Sequence, residues 1–223
     1  HRALPSFPTR RSSDLPTQRV IAFGGNRSQG GHNFSNETWE WDGATRTWTL
    51  LNPSNRPDGR WSHTMCYDPS RGAIVLSGGW NNINGYLDDC WEWSGNDWTQ
   101  VNKVAPWPGP RFQVGLSYDF VQKRMLLFGG CDRTSVYNDL WERSGTGSWV
   151  KITASGPRVP QARRDPLFCF DPTLKSTIMF GGQPAVGGAP SLADCWLLTA
   201  FGGIWNDLGG GSACFGNITP VAS

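Results

Sequence analysis

Residues 60–101 read RWSHTMCYDPSRGAIVLSGGWNNINGYLDDCWEWSGNDWTQV, in which an arginine, an aromatic-aspartate pair, an apolar run, a glycine pair and two tryptophans follow one another. Arg60 to Tyr67 reads as a first strand, and DPSRG (68–72) as a turn built from Asp, Pro and Gly. AIVLS (73–77) is a continuous apolar run, the pattern of a strand buried on both faces. Gly78 and Gly79 end that strand where a side chain would collide or where φ must be positive. CWEW (90–93) alternates as a half-buried strand, SGND (94–97) makes the next turn, and WTQV (98–101) alternates again as an outer strand. The stretch predicts a four-stranded antiparallel meander.

The same order recurs along the chain. Glycine pairs stand at Gly24-Gly25, Gly78-Gly79, Gly129-Gly130 and Gly181-Gly182, 51 to 54 residues apart. Each pair follows an apolar run: VIAF (20–23), AIVLS (73–77), MLLF (125–128) or TIMF (177–180). Tyr67-Asp68, Tyr118-Asp119 and Phe170-Asp171 precede the last three pairs by one fixed interval, and Arg60, Arg111 and Arg163 precede those aromatics by another. Downstream of each pair come Trp39, Trp91, Trp141 or Trp196, and then Trp48, Trp98, Trp149 or Trp205. One such sheet cannot cover both of its faces; radial stacking into a β-propeller solves this, with the tryptophan columns filling the gaps between blades.

The glycine pairs, NDLWE (138–142), DDCWEW (88–93), the closing tryptophan and the R…YD opening resemble the kelch repeat, whose period is about 50 residues. The closer resemblance is to bacterial propellers of the galactose-oxidase type. It implies an all-β, kelch-type β-propeller of about four blades of four antiparallel strands, the first incomplete, forming part of a larger ring. The expected blades are 16–57, 58–108, 109–159 and 160–208, with 209–223 a linker or the start of a further segment. Leu198 stands where Trp41 and Trp93 stand, which suits an atypical end repeat.

Ser6–Leu15 reads SFPTRRSSDL, which matches the frame translation of a sequencing-library adapter. Residues 1–15 are therefore expected to be an artefact, disordered and outside the fold, with the 5′ end of the gene lost. They hold Arg2, Arg10 and Arg11 against Asp14, so the net charge of +2 belongs to them and the remainder is neutral. A neutral body gives no electrostatic footprint for nucleic acid. No apolar run reaches the ~18 residues of a membrane helix.

Chemistry-bearing constellations are sparse. His1, His32 and His63 show no HxH, HExxH or CxxC spacing, so no metal site is expected, and His63 reads as structural. Oxidase chemistry of the resembled type needs copper and a tyrosine radical, but Tyr67 and Tyr118 are repeat-column residues and Tyr86 and Tyr137 lie in loops, so no cofactor is expected. Three column arginines could form a carboxylate clamp, yet recurrence once per blade reads as an anchor to a backbone carbonyl or a neighbouring aspartate. No nucleophile elbow or phosphate loop occurs. Cys66 and Cys169 share one column and Cys90 and Cys195 another, read as buried thiols.

What remains is the variable segment after each glycine pair, 26–37, 80–89, 131–139 and 183–194. Trp80, Asn81, Asn82, Asn84, Tyr86, Arg133 and Tyr137 combine aromatic surfaces with amide and guanidinium donors, a composition suited to a protein or glycan ligand. The expectation is a non-catalytic binding scaffold, extracellular or on the cell surface. The alternative is the scaffold of a larger enzyme whose catalytic residues lie elsewhere.

Overall fold

The computed structural model describes residues 10–14, 19–27, 33–145, 147–185, 190–199 and 203–210, with the backbone alone for 10–14. Regular structure among the described residues is entirely β. β1 (Arg10–Asp14), β2 (Arg19–Phe23), β3 (Thr38–Asp42) and β4 (Thr47–Leu51) make a first antiparallel sheet in that order. The second contains β5 (Thr64–Asp68), β6 (Ala73–Ser77), β9 (Cys90–Trp93) and β10 (Trp98–Gln100), and a hairpin of β7 (Trp80–Asn81) and β8 (Gly85–Tyr86) interrupts it in sequence. β11 (Gly115–Asp119), β12 (Arg124–Phe128), β13 (Leu140–Arg143) and β14 (Trp149–Ile152) form the third. β15 (Leu167–Asp171), β16 (Ser176–Phe180), β17 (Asp194–Leu198) and β18 (Trp205–Gly210) form the fourth. Each is a four-stranded antiparallel meander, as the repeat predicts.

Three expectations need correction. Arg10–Asp14 do not lie outside the fold: they pair with β2 from Arg10↔Phe23 to Asp14↔Arg19. Backbone pairing asks only for an extended chain, and β2 would otherwise present an unpaired edge. The first strand of the second repeat starts at Thr64 rather than Arg60, because Ser62 turns the chain at φ 50°. Gly209 and Gly210 belong to β18 rather than to a linker, with 211–223 outside the described residues.

The chain divides into two compact units, one of His1–Gln113 with Gly145–Ser148, the other of Val114–Ser144 with Trp149–Ser223. In the first, Ile21 and Phe23 of β2 pack against Met65, Ile74, Leu76, Trp93 and Trp98 of the second sheet. In the second, Leu126, Phe128 and Leu140 pack against Phe168, Met179, Trp196, Leu198 and Trp205. The same positions of the repeat meet in both, at about 1.5–3 kcal/mol for each large apolar side chain removed from water. Trp98, Trp149 and Trp205 are fully buried, whereas Trp48 is only half-buried.

The aspartate column has a local cause. Asp68 accepts from the backbone N–H of Ser70, Asp119 from Val121 and Gln122, and Asp171 from Thr173 and Leu174, closing the turn between first and second strands.

Candidate functional site

The arginine and glycine columns form one interlock. Arg60 is wholly buried and grips Asp89 with two nitrogens, at 2.5 and 2.7 Å, while donating to the carbonyls of Gly78 and Asp58. Arg163 repeats this on Asp194, at 2.6 and 2.8 Å, with the carbonyls of Gly181 and Gln161. Arg111 donates to the Gly109 carbonyl in the same way. The carbonyls of these arginines face backwards along the repeat: Gly25 donates to Arg60 O, Gly79 to Arg111 O and Gly130 to Arg163 O, each at 2.9 Å. An added Cβ on Gly24, Gly78 or Gly129 would lie 2.8, 2.4 or 2.5 Å from those same oxygens, and all three glycines have φ between 64° and 67°. The glycine pair is therefore required by both close approach and positive φ.

An acidic column is the feature the sequence reading missed. Glu37, Asp89, Asp139 and Asp194 each stand two residues before a tryptophan and accept from its indole N–H. Burial pushes Asp89 and Asp194 up, but the paired arginine and the indole donor outweigh it and hold both carboxyls below the usual carboxylate range. These carboxylates tie the third strand to the arginine and tryptophan columns of the blade.

Interlocked strand ends leave the following segment free to differ, and in the second repeat it builds a hairpin. Trp80 pairs with Tyr86 and Asn81 with Gly85, whose φ of 72° lies over open space. Asn81 is buried, and its side-chain oxygen accepts from the N–H of Ile83 (3.1 Å) and Asn84 (2.7 Å). It shapes the turn and presents nothing outward, a correction to its expected place in a ligand-facing surface. Asn84 is tied to Asp58 at 3.0 Å, and Asn82 is exposed. Ile83 at the tip is 84% exposed, the highest value among the exposed large hydrophobic residues described.

An aromatic group supports the base of this hairpin. Trp61 and Trp80 exchange backbone hydrogen bonds at 3.0 and 3.1 Å. Phe34 stacks on Trp61 (6.4 Å) and meets Trp80 edge-on (5.5 Å). Phe112 touches Trp61 (6.4 Å) and Tyr86 (5.3 Å). Trp61 and Phe112 each follow a column arginine and precede a residue with positive φ, Ser62 and Gln113. That spacing was available in the sequence, whereas Phe34 and Ile83 carried no pattern.

In the second unit, Arg133 is exposed, and the Tyr137 hydroxyl donates to Asp132 at 2.5 Å. Burial pushes Asp132 up, but Tyr137 and the N–H groups of Thr134 and Ser135 bring it down to about 2. Tyr137 thus holds a loop together. Arg164 is bound to the Ala185 carbonyl and to Gln183, so the position after the third column arginine is also used structurally.

Among the described residues no group of three or more His, Cys, Asp or Glu could hold a metal ion, and His32 lies outside them. His63 is fully buried, edge-on to Phe23 at 5.7 Å. Cys90 is buried, Cys66 half-buried and Cys169 exposed, none of them in a disulfide. Cys195 is disulfide-bonded, contrary to its reading as a thiol. No helix among the described residues is long and apolar enough to cross a membrane.

The chain matches the family model described as the KLHDC2/KLHL20/DRC7 Kelch-repeats domain over residues 13–211. A comparison with curated proteins gave no match. The family match spans all four sheets in which the repeat columns interlock, and the chain belongs to the kelch-repeat family.

Proposed function

We propose that this chain is a non-catalytic kelch scaffold that grips a protein partner through the β7–β8 hairpin. The observation that carries the reading is the placement of Ile83, an exposed aliphatic tip on a hairpin whose base is fixed by Asn81 and the Phe34–Trp61–Trp80 rings. A rigid, preorganised apolar anchor loses little entropy on binding and suits a shallow apolar pocket on a partner. Asn82 beside the tip supplies amide hydrogen bonds that a glycan would also use, so carbohydrate is the competing ligand class. In this reading the chain takes only its blades from the galactose-oxidase-type resemblance, without copper ligands or a tyrosine radical. An extracellular or cell-surface location goes with it, supported by the disulfide at Cys195.

The test is selection of a displayed random-peptide library on the full chain, with a glycan array in parallel, comparing wild type with Ile83→Asp. Peptides enriched by wild type and weakened at least about tenfold by Ile83→Asp support the reading, because ~1.4 kcal/mol is the least an anchor residue should contribute. Hairpin-dependent signal on the glycan array alone replaces protein with carbohydrate. Binding that ignores Ile83→Asp overturns the site.

A further inference from the structure

Three segments of the first unit converge at the β7–β8 hairpin. Gly59 lies against the chain at Phe34, where an added Cβ would stand 2.3 Å from the Phe34 carbonyl oxygen. Its neighbour Asp58 accepts from the Asn84 side chain at 3.0 Å, next to Ile83 at the hairpin tip. Trp61, three residues on from Asp58, is joined to Trp80 by paired backbone hydrogen bonds. Asp58 therefore stands where the Phe34 segment, the 58–61 segment and the hairpin meet.

The rings gathered there are not sealed in a core. Phe34, Trp61 and Trp80 are all half-buried, with the planes of Phe34 and Trp61 11° apart and that of Trp80 at 90° to Phe34. Aromatic faces attract cations, guanidinium groups most often.

The ionised groups nearby are unequally committed. Arg60 is buried on Asp89, Arg27 is paired with Glu37, and Arg56 donates to Asn52 and the Pro53 carbonyl. Asp58 is exposed, and its side chain is held by the neutral Asn84 amide rather than by a cation. An uncompensated carboxylate beside half-buried rings suits a guanidinium twice over: its N–H edge forks the carboxylate and its plane stacks on a ring. A neutral or acidic side chain gains neither contact.

We infer that the partner segment gripped by the hairpin carries an arginine, received by Asp58 and the Phe34–Trp61–Trp80 rings beside the apolar surface that takes Ile83. The inference rests on the hairpin as the binding site and adds the peptide chemistry that it selects. Ile83 supplies affinity, and Asp58 with the rings supplies selectivity.

The experiment sequences the random-peptide library selected on the full 223-residue chain, then measures one enriched arginine peptide and its Arg-to-Gln counterpart against wild type, Asp58→Asn, Phe34→Leu and Ile83→Asp. Asp58→Asn keeps an acceptor for Asn84 and removes only the charge. Arginine should be enriched over the input library, and its loss from the peptide should weaken binding to wild type about fivefold. That difference should vanish in Asp58→Asn, shrink in Phe34→Leu and persist in Ile83→Asp, where both peptides bind more weakly. Peptides enriched without arginine, or a difference left intact in Asp58→Asn or in Phe34→Leu, would overturn the inference while leaving the hairpin as the site. Binding unchanged by Ile83→Asp overturns the hairpin reading, and the arginine difference measured on the same peptides still decides the role of Asp58. Selection of no peptide at all overturns both.

Discussion

Arg60 and Asp89 are unequal partners, since the guanidinium is wholly buried while the carboxylate keeps 16% of its side-chain exposure. Arg60→Ala leaves a largely desolvated carboxylate and an unmatched Gly78 carbonyl, and should cost about 3–5 kcal/mol in urea unfolding. Arg60→Lys keeps the charge but cannot grip both oxygens, so it should recover only part of that. The same pair sets an acid limit. Asp89 and Asp194 have folded-state values below the ~3.9 of an unfolded aspartate, so their contribution is complete above that pH and is lost as pH falls through the lower folded value. Urea midpoints should therefore drop below about pH 4. Asp89→Asn should be less stable at pH 7 and lose less between pH 4 and pH 2. The arginine column was legible from its spacing, but its partner was not, because Glu37 and three aspartates share a position without sharing an identity.

At the scale of the element, two glycines of nearly equal φ separate conformation from packing. Gly72 has φ 62° with nothing within 4 Å of an added Cβ, whereas Gly78 has φ 64° with Arg111 O at 2.4 Å. Gly72→Ala should cost roughly 1–2 kcal/mol, the penalty of a left-handed alanine. Gly78→Ala should cost clearly more, because a backbone carbonyl must also move; paired thermal melts of the two variants check this. Strands were legible where period and apolarity agreed: AIVLS and CWEW coincide with β6 and β9. The β7–β8 hairpin was not, since WNNING is polar, short and without alternation, and its turn is closed by the side chain of a buried Asn81. The same burial removed Asn81 from the binding surface that composition had suggested.

At the scale of the whole molecule, each of the two compact units has its own apolar core, shared by two of its sheets. Phe128 is fully buried and edge-on to Trp205 at 5.2 Å, so it joins the third sheet to the fourth. Phe128→Ala should cost about 3–5 kcal/mol, and hydrogen exchange should rise across β11–β18 with β2–β10 less affected. The four-fold repetition was legible at this scale because a column needs only a residue type at an interval. The strand at Arg10–Asp14 was hidden because its sequence matched a foreign pattern while its backbone suited an open edge.

The arginine interlock also bears on how the chain is made. Arg60 and Asp89 lie 29 residues apart and Arg163 and Asp194 lie 31 apart, each pair within a single repeat. During synthesis at about 5–20 residues per second, a ribosome would release all the parts of one interlock within a few seconds. The carbonyl that the preceding glycine pair needs arrives on that same arginine, so each new repeat completes its predecessor as it closes itself. Assembly can then run from the N-terminal end behind the ribosome, one blade at a time, each glycine pair gaining its carbonyl acceptor when the next arginine emerges.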